Sequence, residues 1–279
     1  MTEQSTLIIA DTHVHVYPCY DLSRFFEAAA ENLERIIQQR KCEAGEAAQR
    51  CSRVLGVLFL TERFDCHYFD ELSAGKQAAL PTGWSAAPLS DKVVRATSEE
   101  GAELLIVSGY QVITLERLEV LTLNSRNRIP DGLPLSEVLS RVLSPEIPVL
   151  NWSLGKWMFG RGKTVGGVIK TSASRELIVG DIRARPLGWG EPRLLAIAKG
   201  RGVPMIAGSD PLPVRGEEKY VLSYASEFRL PAGLDEGRIG DILQSALASR
   251  SCKPGVVGHR GNPLETFFRL RGNSMAKKS

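Results

Sequence analysis

The segment that most constrains this chain is residues 7–17, LIIADTHVHVY, an apolar run that ends in an acid and two alternate histidines. Side chains alternate between the two faces of a strand, so His13 and His15 would lie on one face at the carboxyl end of a buried strand. Asp11 shares that face. Two neutral imidazoles held side by side make half of a metal site. We therefore interpret the pair as metal ligands, the alternative being a structural pair on an ordinary strand.

Downstream of this segment, short apolar runs alternate with stretches of helical periodicity. The apolar runs predict strands at 53–60, 118–124, 147–152, 176–181, 203–210 and 255–259. The amphipathic stretches predict helices at 21–41, 66–77, 135–143, 164–172, 192–199 and 238–249. We predict an α/β fold, and specifically a TIM-like (β/α) barrel rather than an open sheet, because functional-looking residues recur at successive strand ends.

One region interrupts this alternation. Residues 80–91 contain two prolines and a glycine and read as a loop, whereas residues 92–114 hold two or three strand-like stretches around a turn at 98–101. The length of 279 residues, 43% of them hydrophobic, suits one large domain or two small ones. We predict a single barrel domain over residues 1–279, with a small β insertion at about 92–114.

Charge and cysteine usage exclude several classes of protein. The net charge is only +3 and the basic residues are scattered, so nucleic acid is not an expected partner. The five cysteines are odd in number and lack a Cys-x-x-Cys spacing, which argues against a disulfide framework and for a reducing compartment. No signal peptide or span of roughly 20 apolar residues is seen, so we expect a cytoplasmic protein without a membrane partner. A homo-oligomer is compatible with the sequence.

The strand ends supply the candidate site. In a barrel, the carboxyl ends of all strands face one mouth, where Asp11, His13, His15, Asp181 and Asp210 would converge. Asp210 ends the apolar run in MIAGSDPLP, and the proline after it forces the chain to turn. Its carboxylate would then lie at the mouth, although it could instead only cap the turn.

Two of these motifs, DTHVHVYP near the start and MIAGSDPLP late in the chain, resemble the first and last metal motifs of the amidohydrolase superfamily. The polymerase-and-histidinol-phosphatase (PHP) barrels also begin with Asp-x-His-x-His. The resemblance implies that His13 and His15 bind a divalent metal. It also implies that Asp210 binds the metal and accepts a proton from its water.

The middle of the chain departs from that family pattern. The superfamily normally supplies a bridging Lys or Glu and two further histidines, yet this chain has no histidine between residues 68 and 258. His67 and His259 fall at the wrong places in the order. We therefore predict one metal ion, Zn²⁺ or Mn²⁺, unless Glu119, Lys156 or Asp181 replaces the missing groups.

A glycine-rich basic stretch at 150–167, LNWSLGKWMFGRGKTVGG, invites comparison with a phosphate loop. The required glycine is Trp157 here, so the spacing rejects a P-loop. What remains is a loop leading into a helix at about Thr164, with Lys156, Arg161 and Lys163 as donors to an anion. Asp181 and Arg183 are placed near the same mouth as further substrate-binding residues, and Trp152, Trp157 and Trp189 could line the pocket. A solvated basic turn is the alternative.

The leading hypothesis is a metal-dependent hydrolase in which the metal activates water and Asp210 is the general base. The substrate would be small and anionic, and the bond cleaved an amide, a lactone or a phosphoester. The alternative is a degenerate amidohydrolase-like barrel that has lost its metal centre and acts as a ligand-binding or assembly protein.

Overall fold

The computed structural model describes residues 5–44, 51–142, 146–172 and 176–276, in which two mixed β-sheets are combined with helices. The described strands are β1 (Ser5–Val14), β2 (Cys51–Leu60), β3 (Trp84–Pro88), β4 (Val93–Ser98), β5 (Glu103–Val107), β6 (Gly109–Ile113), β7 (Glu119–Leu123), β8 (Pro148–Asn151), β9 (Ile178–Ile182), β10 (Met205–Gly208), β11 (Tyr224–Pro231) and β12 (Gly255–Gly258). The described α-helices are α1 (Leu22–Ala44), α2 (Tyr68–Ser73), α3 (Leu135–Arg141), α4 (Phe159–Thr171), α5 (Arg193–Gly200), α6 (Ile239–Ser249) and α7 (Pro263–Ala276).

The strands form a seven-stranded sheet and a five-stranded sheet. The larger sheet has the order β12-β11-β1-β2-β5-β4-β3, in which β1, β2 and β5 are parallel and the outer strands pair antiparallel. The smaller sheet has the order β10-β9-β8-β7-β6, in which β10, β9 and β8 are parallel and β7 and β6 antiparallel. The β-rich region at 92–114 supplies β4 and β5 to the larger sheet and β6 to the smaller one.

The prediction of a TIM-like barrel is therefore wrong. Within the described residues no continuous ladder joins the two sheets into a closed barrel, and antiparallel strands flank the parallel ones in both. The physical reason is strand pairing: β11 lies antiparallel between β1 and β12, at a place where a barrel requires a parallel strand. An apolar run in the sequence predicts a buried strand, but it does not predict whether the neighbouring strand is parallel or antiparallel.

Most predicted elements have observed counterparts, and the exceptions have local causes. β3 lies in the segment predicted as a loop, and β11 and α7 lie where no element was predicted. Helix α4 begins at Phe159 rather than near 164, and Val165 and Ile169 bury one of its faces. Residue 143, the predicted end of the third helix, lies outside the described residues.

Burial of apolar side chains explains why the central strands form. All residues of β1 from Thr6 to Val14 are buried, as expected of a strand covered on both faces. Helix α1 packs Phe25, Phe26, Ala29 and Ile36 against one side of the larger sheet, at the three-to-four-residue spacing of an amphipathic helix. No helix in the described parts of the chain has the length and apolarity needed to cross a membrane.

Candidate metal centre

The candidate centre forms where the carboxyl end of β1 leaves its partner β11. The register pairs β1 with β11 only from Ser5 to Ala10, so the following residues are free to contact β10 of the other sheet. Thr12 Oγ1 donates to the Ala207 carbonyl at 3.0 Å, and the Asp210 amide donates to the His13 carbonyl at 2.9 Å. These bonds place the end of β10 directly beside the two histidines.

Gly208 makes this close approach possible. A Cβ atom at this position would lie 2.5 Å from the His13 amide nitrogen and 2.6 Å from the His13 Cβ. Both distances are shorter than real Cβ contacts, so only a glycine fits without displacing the strand. Two residues later, Asp210 has a left-handed φ of 46°. That conformation is uncommon for a residue with a side chain, and it turns the chain immediately after β10.

Three of the predicted ligands come together at this point. His13 and His15 are almost fully buried, and their Nε2 atoms lie 3.0 Å apart. The Oδ1 atom of Asp210 lies 3.5 Å from Nε2 of His13 and 3.7 Å from Nε2 of His15. His13, His15 and Asp210 thus form a group that could hold a metal ion, with ligand atoms all within 4.8 Å of one another.

The spacing of the three atoms fits a small cation. Tetrahedral zinc with bonds of about 2.0 to 2.1 Å separates its ligand atoms by roughly 3.3 Å, close to the three distances found here. Two unprotonated imidazole nitrogens facing each other at 3.0 Å repel unless a proton or a cation lies between them. The donor set of two imidazoles and one carboxylate therefore fits a divalent metal chemically as well as geometrically.

The two imidazoles differ in their other contacts. The backbone of Thr61 hydrogen-bonds His15, which is the kind of outer partner that orients metal-binding histidines. Nδ1 of His13 is buried, and none of the described residues hydrogen-bonds it. Gln111 of β6 places its Oε1 atom 3.1 Å from Nε2 of His13, so a neutral oxygen of the kind that can bind a metal lies beside the three ligand atoms.

Asp11 holds the site through the backbone rather than through an imidazole. Its Oδ1 atom accepts from the amides of Ser209 at 2.8 Å and His13 at 3.2 Å. Its Oδ2 atom accepts from the Ser209 hydroxyl at 2.5 Å and from the Leu222 amide at 2.8 Å. Burial raises the pKa of Asp11 to about 6, although these four hydrogen bonds oppose the rise. Asp11 therefore joins the end of β1 to the segments that follow β10.

A second charged pair lies close to the centre. The Glu119 carboxylate of β7 accepts hydrogen bonds from Lys156 Nζ and from the Ser153 hydroxyl. Burial would raise its pKa, but the Lys156 ammonium and the neighbouring His13 outweigh burial and lower the pKa of Glu119 to about 2. The sequence suggested Glu119 as a replacement for a missing ligand, and Lys156 as such a replacement or as a donor to an anion, whereas the structure pairs the two with each other.

Burial shifts the pKa values of two of the candidate ligands, His15 and Asp210. It lowers the pKa of His15 well below its ordinary value, and the nearby His13 lowers it further. His15 is thus neutral near pH 7, as metal binding requires. Burial also raises the pKa of Asp210, because a carboxylate loses solvation there and lies near Glu119.

The residues predicted to bind an anion have other contacts. Asp181 is buried and accepts from Arg185 Nε at 2.8 Å and from the Tyr224 hydroxyl at 2.7 Å. Arg183 donates to Glu265 at 2.5 Å and stacks on a tyrosine ring. Arg161 donates to a backbone carbonyl in the preceding turn, and Lys163 lies exposed within α4 rather than ahead of its first turn. Lys156 alone lies close to the candidate metal centre.

Sequence reasoning missed several residues of the site. Gln111 lies on a strand predicted as part of an insertion, so nothing in its local pattern linked it to the histidines. Glu217 is buried in a bidentate pair with Arg269 of α7, and the charge of Arg269 opposes the rise in the pKa of Asp210. The signal that could have found it is distributed over two segments 52 residues apart. Ser209, which precedes Asp210, was visible only as part of the late motif.

No protein-family model matches this sequence, and no curated protein matches it. Among solved structures, it is similar to PsfC from Pseudomonas syringae PB-5123, at 14% identity and a TM-score of 0.48, with 99% of each chain covered. It is also similar to the lesion-specific endonuclease PfuEndoQ from Pyrococcus furiosus, at 11% identity and a TM-score of 0.47, over 90% of this chain and 59% of that one. Endonuclease Q in complex with a 27-mer duplex carrying an abasic lesion gives 12% identity and a TM-score of 0.43, over 87% of this chain and 57% of that one. Because the identities and TM-scores are this low, these similarities carry no argument about function.

Proposed function

We propose that this protein is a metal-dependent hydrolase with one divalent ion held by His13, His15 and Asp210. The observation that carries the proposal is the convergence of their three ligand atoms at separations of 3.0, 3.5 and 3.7 Å. A bound divalent ion supplies Lewis acidity and lowers the pKa of a coordinated water towards neutrality. Zn²⁺ and Mn²⁺ are the metals that we propose, since both accept imidazole and carboxylate ligands.

Three side chains of the protein would contribute to the reaction beside the metal: Asp210, Lys156 and Tyr17. Asp210 has a side chain that is 15% exposed, so part of its carboxylate contacts solvent and can accept a proton from water. Lys156 is 32% exposed and can hold an anionic group of the substrate while it remains paired with Glu119. The Tyr17 ring lies 5.2 Å from the His15 ring, and burial raises the pKa of Tyr17, so its hydroxyl stays a neutral donor.

The test is metal binding by calorimetry, followed by hydrolysis assays on the loaded protein. We expect the parent to bind one equivalent of Zn²⁺ or Mn²⁺. His13→Ala and His15→Ala should weaken binding by more than the roughly 10 to 100-fold that loss of an outer partner costs. His67→Ala is the matched control, because that histidine is 59% exposed and lies outside the group. Absence of metal uptake by the parent, or equal affinity in all three variants, would contradict the proposal.

Activity is then assayed with p-nitrophenyl phosphate, bis-p-nitrophenyl phosphate, a γ-lactone and an N-acyl amide. Asp210→Asn retains an oxygen ligand but loses the base, so we expect turnover to fall by about 100-fold or more with a smaller loss of metal affinity. Equal turnover in the parent and in Asp210→Asn would exclude Asp210 as the base.

A ligand-binding or assembly protein without catalysis is the second candidate. The observation that favours it is the Nδ1 atom of His13, which is buried without a hydrogen-bond partner among the described residues. Metal-binding histidines usually donate this second ring hydrogen to a fixed acceptor, and the lack of one weakens a site. A parent protein that folds but binds neither Zn²⁺ nor Mn²⁺ would favour this candidate.

A further inference from the structure

A cavity of about 340 Å³ lies between the turn that follows β8 and the segment that leads into α5. Its volume falls at the lower end of the range for small-molecule sites, about 300 to 1,000 Å³. We call it the tryptophan cavity, and its apolar lining is Trp152, Leu154, Trp157, Met158, Trp189 and Leu194.

Two of the three indoles are fixed in the core. Trp152 and Trp157 are 5% and 7% exposed, and the indole nitrogen of Trp157 donates to the Asn151 carbonyl at 3.0 Å. Burial fixes both indoles, and the hydrogen bond of Trp157 fixes its orientation further, so these two side chains form a preformed wall. The wall therefore needs no rearrangement to accept a ligand.

The third indole is held by its backbone and left open to solvent. The Trp189 carbonyl accepts from Arg185 at 3.5 Å and from Arg260 at 3.4 Å, and Arg185 is itself fixed by the buried Asp181. The Trp189 side chain nevertheless remains 51% exposed, as does that of Met158. Exposed apolar groups that border a concave surface mark a place where a ligand can bury them.

The polar groups of the cavity indicate the charge of that ligand. Arg193 lines the cavity and is exposed, and no described carboxylate lies within 4.0 Å of its guanidinium. Ser153 also lines the cavity, and its hydroxyl donates to Glu119 of the candidate metal centre. The cavity thus offers flat apolar walls, one free cation among the described residues that line it, and one lining residue, Ser153, that hydrogen-bonds the Glu119 carboxylate beside the candidate metal centre.

We propose that the tryptophan cavity binds a flat aromatic group that carries a carboxylate, with the ring against the indoles and the carboxylate at Arg193. That this group is the part of the substrate remote from the cleaved bond rests on the proposed hydrolase function. Binding of the group to the cavity does not rest on it. Stacking and edge contacts with indoles favour an aromatic ring over a saturated ring of equal size. Arginine is suited to a carboxylate because its donors form a planar fork.

Calorimetry with 2-naphthoate tests the proposal. We expect one site in the parent, and roughly 10-fold weaker binding both for the saturated analogue decahydronaphthalene-2-carboxylate and for 2-naphthoate with Trp189→Ala. Arg193→Gln should weaken 2-naphthoate by a similar factor but leave the neutral 2-naphthalenemethanol unchanged. Trp84→Phe is the matched control, because Trp84 packs against Phe26 on the other side of the molecule's core. Trp189 is half exposed, so its replacement should leave the fold intact.

The outcomes separate this proposal from the proposed function. Binding that His13→Ala leaves unchanged supports the cavity whether or not the protein binds metal. Absence of binding by the parent, or equal affinity in the parent and in Trp189→Ala, overturns the cavity even if one metal equivalent is bound.

Discussion

Asp11 is a single buried carboxylate that fixes the relative positions of three segments. Asp11→Asn keeps one acceptor oxygen but replaces the other with an amide that cannot accept from Ser209 or Leu222. We expect a loss of about 2 kcal/mol in the free energy of unfolding, because buried donors lose their acceptor. Metal affinity should fall by about 10 to 100-fold although His13, His15 and Asp210 are all present. Urea unfolding and calorimetry measure the two effects.

The control for this prediction is Asp65→Asn, which changes an aspartate with a side chain that is 51% exposed. It should alter neither quantity. Unchanged metal affinity in Asp11→Asn would show that the backbone around His13 does not depend on this carboxylate.

Glu62 makes the stability of the protein depend on pH, and the pKa of its carboxyl predicts the direction of that dependence. Burial raises the pKa of Glu62 from 4.5 to about 7, against the opposing hydrogen bond from the Phe69 amide and the charge of Arg128. Between these two values the folded state binds more protons than the unfolded state, so the contribution of Glu62 to stability falls as the pH rises.

Glu62→Gln removes this titration while it keeps an oxygen that can accept from Phe69, at 2.7 Å in the parent. We expect the stability of the parent relative to this variant to fall by about 2 to 3 kcal/mol between pH 4.5 and pH 8. Urea unfolding at both pH values measures the difference. A difference that stays constant or grows with pH would show that folding does not raise the pKa of this carboxyl.

At the scale of the element, β10 depends on a residue with no side chain. Gly208→Ala would place a methyl group 2.5 Å from the His13 amide nitrogen, so the strand must move away from β1. We expect a loss of about 1 to 3 kcal/mol in stability, as for overpacked cores, together with weaker metal binding because Asp210 follows the strand.

Gly167→Ala provides the contrast within the same chain. It lies inside α4, and nothing lies within 4 Å of the added methyl group, so the change should stabilise by up to about 1 kcal/mol. Thermal unfolding of both variants, with and without metal, separates packing from helix propensity. Equal behaviour of the two variants would mean that β10 can shift without cost.

The elements that local pattern predicted well are those whose burial repeats at a regular period. Strand β2 and helix α1 are of this kind, and both lie close to their predicted bounds. Strand β11 reads YASEFRLP, where polar and charged residues break up the apolar run, and its partner β1 is remote in sequence. Its direction could not be predicted, because pairing is decided by residues about 200 positions away, and the barrel prediction was wrong for this reason.

The prediction of the candidate site did not require the overall topology, whereas the prediction of the fold did. Residues at the ends of β1 and β10 needed only two features that a sequence shows: alternation along the strand, and the turn forced by the proline after Asp210. Gln111 and Glu119 come from β6 and β7, which join the site only because the smaller sheet lies against the end of β1. No local sequence pattern predicts how the two sheets pack, so these two residues were found only in the structure.

At the scale of the whole molecule, the candidate metal centre lies on the junction of the two sheets. His13 and His15 extend from the larger sheet, whereas Asp210 follows β10 of the smaller sheet. A bound ion would therefore link the two sheets, and its binding free energy would add to the stability of the whole fold. The two sheets otherwise share an apolar core, which includes Ile8 of the larger sheet and Val149 and Ile206 of the smaller one. Hydrogen bonds such as those of Asp11 and Thr12 also join them, whereas no continuous ladder does so within the described residues.

The last prediction follows from this position. Zn²⁺ or Mn²⁺ at 100 times its dissociation constant should raise the free energy of unfolding by about 2.7 kcal/mol, since the unfolded chain does not assemble the three ligands. The increase should be absent in His13→Ala, present in His67→Ala and reversed by a chelator, and urea unfolding at fixed metal concentration measures it. A single cooperative transition that shifts as a whole would show that the ion stabilises both sheets together. A shift confined to one of two separate transitions would place the ion within one sheet and not at their junction.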